Sequence, residues 1–133
     1  MSAINIIKTE ASIYLATDTA AWNANGIVTH FVPKSFVLPT FPAVIATRGS
    51  AIAPLLIGWA LSSRFQDFDE MVAGIEDAMP EIYDGISADM NGTGFDLILA
   101  GFSSARSAAE VYYMTTFTLE DRGYADADEA LAI

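Results

Sequence analysis

The chain reads as an α+β protein in which helices cover an antiparallel sheet. Three observations predict this class. Short strand-like runs fill the first part of the chain, two consecutive helical segments follow, and two more strand-like runs close the ordered part. Length and a continuous alternation of elements indicate one domain, spanning residues 1–118, followed by an acidic segment at 119–133.

The elements are justified in order. Residues 4–8 and 12–17 are rich in isoleucine and flank a compact turn at Thr9, Glu10 and Ala11, so they read as a hairpin. That pairing is expected to set Ser2 across from Asp18. Asn23, Ala24, Asn25 and Gly26 make a stronger turn signal, because Asn and Gly tolerate the backbone angles of tight turns. Strands follow at 27–32, 35–38 and 43–47, with Pro39 turning the chain between the last two. The first half is therefore expected to be a strand meander. Ser50 is placed to cap a helix over 51–64 whose residues are apolar on nearly every side, as expected beneath a sheet and a second layer.

Phe68, Met71, Val72, Ile75 and Met79 recur at i, i+3, i+4, i+7 and i+11, with Asp67, Asp69, Glu70, Glu76 and Asp77 in the first turn and on the outer face. This is an amphipathic helix. Pro80 either kinks it or opens a further helical stretch carrying Ile82, Tyr83, Ile86 and Met90, and Asn91 to Gly94 stops it. Strands are expected at 95–100 and 110–117, linked by 101–108. Residues 119–133 are acidic and alanine-rich, suited to a tail or to a short terminal helix at 127–133.

Composition narrows the function classes. The chain has no cysteine, which removes disulfides, thiolate metal sites and a cysteine nucleophile. Its apolar fraction, 53 %, exceeds the globular norm of about 45–50 % and points to apolar surface buried between subunits. No basic stretch precedes an apolar one at the amino end, and the apolar run 51–61 is broken by Pro54 and Gly58 and is too short for a bilayer, so a cytoplasmic, unexported protein is expected. The net charge is −11, and it is uneven. Lys8, Lys34, Arg48 and Arg64 outnumber Glu10 and Asp18 up to position 64, whereas only Arg106 and Arg122 oppose the many acids beyond it. Such a surface repels phosphate backbones and anionic headgroups, which excludes nucleic acid and membrane as expected partners. The acids read as solvated faces. Asp84 and Asp89 lie on a helix, while Asp121, Asp126, Asp128 and Glu129 are too loosely spaced for a calcium loop. No lysine-bearing phosphate loop follows a strand, and neither metal nor cofactor is expected. His30 reads as a surface strand residue, and Trp22 and Trp59 as packing residues.

One constellation carries chemistry. Ser2, Asp18, Lys34 and Gly49 are separated by sixteen, sixteen and fifteen residues, each interval long enough for an outgoing and a returning strand, so all four are expected at one rim of a sheet. A serine that becomes the chain terminus once Met1 is removed can use its own freed amine as a base. Aminopeptidases ordinarily remove a methionine before so small a residue. The bland alternatives are a Ser2 that is merely a small second residue and a Lys34 that merely pairs with Asp18.

The run Ile13-Tyr14-Leu15-Ala16-Thr17-Asp18, then Lys34 within Pro33-Lys34-Ser35-Phe36-Val37-Leu38, then Val44-Ile45-Ala46-Thr47-Arg48-Gly49-Ser50 before an apolar helix, resembles the proteasome-type N-terminal nucleophile (Ntn) hydrolases. It is most similar to the peptidase subunits of bacterial ATP-dependent HslUV proteases. Without a gap, Ser2 falls where that family carries its nucleophilic threonine, Asp18 where it carries its acid and Lys34 where it carries its lysine. The resemblance covers about the first 117 residues. It implies a four-layer αββα sandwich, truncated here at the C-terminal side because the family's further serine and aspartate have no counterpart.

It also implies that the terminal nucleophile attacks an amide carbonyl while its α-amine takes the proton, and that a backbone amide near Gly49 or Ser50 stabilises the oxyanion. An α-amine has an ordinary pKa of about 8, which a nearby ammonium lowers. Arg48 beside Gly49 would either recognise an acidic substrate or fill the cleft, and Ser50 would join it in binding substrate. The expected partners are a peptide or amide substrate and further copies of the chain, in a homo-oligomer such as the rings that family members form. The alternative function is a catalytically silent homologue serving as a structural or assembly subunit of a larger particle.

Overall fold

The computed structural model describes residues 3–117. Met1, Ser2 and residues 118–133 lie outside that range, and with them the expectations for the nucleophile itself and for the acidic C-terminal segment.

Alternating β-branched and aromatic residues build the strands. β1 (Ile4–Lys8) and β2 (Ile13–Thr17) form an antiparallel hairpin with Ile4 opposite Thr17. Its turn is closed by Thr9, whose backbone N–H donates to the Ser12 carbonyl at 2.8 Å and whose hydroxyl accepts the Ser12 N–H at 3.0 Å. The register brings Ala3 to Asp18, with the Asp18 N–H donating to the Ala3 carbonyl at 3.1 Å, so the expected opposition of Ser2 and Asp18 is corrected by one residue. β3 (Ala20–Trp22) and β4 (Val28–Phe31) form a second hairpin. It turns at Asn23, whose side-chain oxygen accepts the N–H groups of Asn25 and Ile27 at 2.9 and 3.1 Å.

β5 (Ser35–Val37), β6 (Ala43–Gly49), β7 (Phe95–Ser103) and β8 (Ala108–Thr115) form one antiparallel sheet in that spatial order. The first half is thus not one meander. It divides among three sheets, because the third strand pairs locally with the fourth across the Asn23 turn instead of continuing the first hairpin. β7 and β8 are also longer than expected toward their shared turn, which shrinks the link from 101–108 to residues 104–107.

Helices α1 (Ala53–Arg64) and α2 (Phe68–Ile86) cover the face of this sheet that carries Ile45, Leu97 and Leu99, and the core lies between them. Ile57, Leu61 and Met71 from the helices and Ile45 and Phe95 from the sheet are fully buried. The helix and sheet backbones approach closely where glycine permits it. A β-carbon on Gly58 of α1 would collide with the Phe36 ring, and one on Gly101 of β7 would collide with the Phe68 ring. On the opposite face, Ala11, Ser12 and Ile13 of the first hairpin share a shallow cleft with Val44, Ala100 and Phe102. The layer order is therefore helices, sheet, hairpin. Ile45 and Ala46, which point to opposite faces of β6, are both fully buried, as strands covered on two sides require.

Two expectations for α1 change. Ser50 does not cap α1 by its side chain. The N-cap is Ile52 without a side-chain bond, and Pro54 in the first turn sets the start, since its fixed φ suits a position whose N–H would lack a partner. The outer face of α1 is not buried, for Ile52, Leu55 and Trp59 are 42, 54 and 66 % exposed, and Trp22 is likewise half-exposed. α2 runs unbroken through Pro80, which lies on the solvent side, where water can satisfy the Glu76 carbonyl that the ring leaves without its helical donor. Asp67 caps α2 as its side chain accepts the Glu70 N–H at 2.8 Å. No helix among the described residues is long and apolar enough to cross a membrane.

Candidate active site

The antiparallel layout brings the start of β1, the end of β2, the start of β5, the end of β6 and the start of β7 to one rim, and the charged centre lies there. Asp18 follows β2 and Lys34 precedes β5. The Lys34 Nζ donates to Asp18 Oδ1, and the Ala3 N–H donates to Asp18 Oδ2 at 2.8 Å. Both carboxylate oxygens are thereby engaged, one by the ammonium and one by the first described residue of the chain. The Lys34 side chain is 7 % exposed and that of Asp18 31 %. The Lys34 ammonium, and after it the Ala3 N–H, hold the Asp18 carboxyl below the usual carboxylate range. The Lys34 carbonyl accepts the Thr47 N–H at 3.0 Å, which locks the lysine backbone against β6.

Lys34 opens onto a cleft of about 530 Å³ at this rim, together with Thr47, Arg48, Gly49, Ser50 and Trp22. Gly49 ends β6 with φ +131°, a conformation that side chains disfavour, and a β-carbon there would lie 2.5 Å from the Gly94 carbonyl oxygen. Both constraints demand glycine. Arg48 does not reach Asp18. Its Nε donates to Oδ2 of Asp96, on β7 across the strand pair, at 2.9 Å, its Nη2 lies 2.7 Å from the same oxygen in the ion pair, and Tyr113 Oη donates to the other Asp96 oxygen at 2.7 Å. The Asp96 side chain is 4 % exposed while Arg48 keeps 44 % of its own in solvent.

The structure thus brings Asp18 and Lys34 into contact and gathers Lys34, Arg48, Gly49 and Ser50 around one cleft, while Ser2 lies outside the described residues. Two residues of the site escaped the sequence reading. Asp96 is a lone acid in an otherwise apolar strand, and that isolation was the available signal. Thr47, 2 % exposed, takes a core-facing position of β6, and its buried hydroxyl has no hydrogen-bond partner among the described residues. A buried hydroxyl left so costs about 1–3 kcal/mol. His30 is an exposed residue of β4, as expected, but it also borders the cleft, and its Nδ1 lies 2.8 Å from Thr29 Oγ1.

A second polar cluster lies at the opposite rim. Asp69 accepts from Ser103 Oγ at 2.5 Å and from the Ala105 N–H at 2.9 Å, and Arg106 joins Glu110 and Asp69. Ser103, then Ala105, keeps the Asp69 carboxyl low, and Arg106 does the same for Glu110. The members satisfy one another and tie the first turn of α2 to the β7–β8 turn, so this network fastens the fold. Among the described residues no group of three or more metal-ligating side chains gathers. Comparison with protein-family models, with curated proteins and with solved structures returns no match.

Proposed function

We propose that this chain is a proteasome-like Ntn-hydrolase subunit that cleaves peptide or other amide bonds with Ser2, after Met1 is removed. One observation carries the reading. The N–H of Ala3, the residue after Ser2, and the ammonium of Lys34 hold opposite oxygens of the Asp18 carboxylate, so the backbone next to Ser2, an acid and an ammonium meet, and Lys34 also lines the cleft. In the proposed reaction, the Ser2 Oγ forms a bond to the substrate carbonyl carbon as its proton passes to the Ser2 α-amine. The oxyanion is held by a backbone amide at Gly49 or Ser50. The intermediate then breaks its C–N bond, the departing amine takes the proton, and water hydrolyses the resulting ester. Lys34 keeps the α-amine unprotonated by its charge, and Asp18 keeps Lys34 in place. The layer order of helices, sheet and hairpin suits three successive layers of an αββα sandwich, which is the fold we assign to this reading.

The test is turnover of peptide aryl amides by the purified chain. Ser2→Ala is expected to abolish release of the arylamine with the circular dichroism and the melting curve unchanged. Release that survives in Ser2→Ala would overturn the assignment of the nucleophile. A second reading, a catalytically silent subunit of a larger particle, is favoured by the exposed stripe of Ile52, Leu55 and Trp59 along α1, an apolar face suited to a neighbour. Hydrolysis that depends on Ser2 removes that reading.

A further inference from the structure

We infer that the cleft beside Lys34 takes a carboxylate, so that the preferred substrate is a peptide with an acidic residue on the acyl side of the amide to be cleaved. This deepens the hydrolase reading and rests on it for the position of the scissile bond.

The inference begins with charge. The chain carries 17 acids against 6 lysines and arginines, yet among the described residues Lys34, Arg48 and His30 line this cleft and no carboxylate is part of its lining, Asp18 and Asp96 being the ion-pair partners of Lys34 and Arg48. In so acidic a protein that segregation marks a place where a negative ligand is tolerated and positive side chains are held ready.

Arg48 supplies the recognition element. Asp96 engages Nε and Nη2, and Tyr113 braces Asp96 from the other side, so the guanidinium plane is fixed before any ligand arrives. Nη1 makes no hydrogen bond among the described residues, and 44 % of the side chain remains open to solvent. A guanidinium held by one carboxylate offers its outer edge to a second planar anion, and charge-assisted bonds of that kind are short and directional. Because Asp96 already offsets the charge of Arg48, a singly charged carboxylate suits the site better than a doubly charged phosphate.

Thr47, whose hydroxyl is buried and without a hydrogen-bond partner among the described residues, is also one of the residues that line the cleft. Trp22 and Phe117 add apolar wall for the methylene groups of an acidic side chain.

The experiment separates binding from turnover. Two peptide aryl amides that differ only in Glu against Gln at the residue before the aryl amide are titrated by calorimetry into the full chain carrying Ser2→Ala. The Glu peptide is expected to bind about 10-fold more tightly, the size of one charge-assisted hydrogen bond. The preference should vanish in the double variant Arg48→Gln, Asp96→Asn, which removes both charges of the ion pair, while Tyr113→Phe should only weaken it. Equal binding of the two peptides, or a preference that persists in the double variant, overturns the carboxylate assignment. A Glu preference in Ser2→Ala without hydrolysis by the unsubstituted chain sustains the site and removes the hydrolase reading. Equal hydrolysis of both peptides sustains the hydrolase and removes the acidic preference.

Discussion

At the scale of residues, the Lys34–Asp18 pair fastens the rim and is the centre of the proposed chemistry. Lys34→Met leaves an Asp18 carboxylate that is 31 % exposed and keeps the Ala3 N–H, so the variant is expected to cost only about 1 kcal/mol in urea unfolding while abolishing hydrolysis. An unchanged urea midpoint would contradict the burial argued for the pair. The pH dependence has a definite sign. Asp18, Asp69 and Glu110 all titrate lower in the folded chain than free carboxylates do. Their contribution is therefore complete above the unfolded carboxylate range of about pH 4 and is lost as pH falls through the lower folded values. Unfolding free energies measured from about pH 6 down to about pH 2 should fall below about pH 4, and Asp18→Asn should make that fall shallower. A curve as steep in the variant as in the parent would show that Asp18 contributes nothing to the linkage. Much of this site was legible in the chain. The even spacing of Asp18, Lys34 and Gly49 selected the rim because antiparallel strands return at fixed intervals. The partner of Arg48 was not legible, since Asp96 lies 48 positions away and only the β6–β7 register brings it alongside.

At the scale of elements, local pattern and tertiary packing divide the credit. α2 was readable because its apolar residues recur with helical period and Asp67 supplies a recognisable cap. Asp67→Ala should therefore destabilise the chain by about 1 kcal/mol, measured by thermal unfolding, whereas no effect would deny the cap its role. α1 was misread in its surroundings, because an all-round apolar sequence does not reveal which face a neighbour covers. β3 was missed since three residues carry too little periodicity, and it forms only because the Asn23 turn folds it onto β4. The seat of α1 on β5 depends on Gly58, so Gly58→Ala, which presses a methyl group into the Phe36 ring, should cost about 1–3 kcal/mol. An unchanged melting temperature would mean that the ring moves aside freely.

At the scale of the whole molecule, a charged rim lies beside an apolar exterior. Ile52, Leu55 and Trp59 form a stripe along α1, and Phe31 on β4 is 74 % exposed, a distribution that suits association of copies. Light scattering at micromolar concentration should report an oligomer, which Leu55→Glu with Trp59→Glu converts to monomer without loss of helix content. A monomeric parent chain would refute this. The general α+β class and its helix-covered antiparallel sheet were legible from the order of elements, but the division of the first half into separate sheets was not, because pairing partners follow from three-dimensional register. The most direct test is to treat the purified chain with an acylating β-lactone and locate the adduct by mass spectrometry. The account predicts a chain lacking Met1 with a single acyl group on the Ser2 oxygen, absent in Lys34→Met, whereas retained Met1 or an unmodified Ser2 would contradict it.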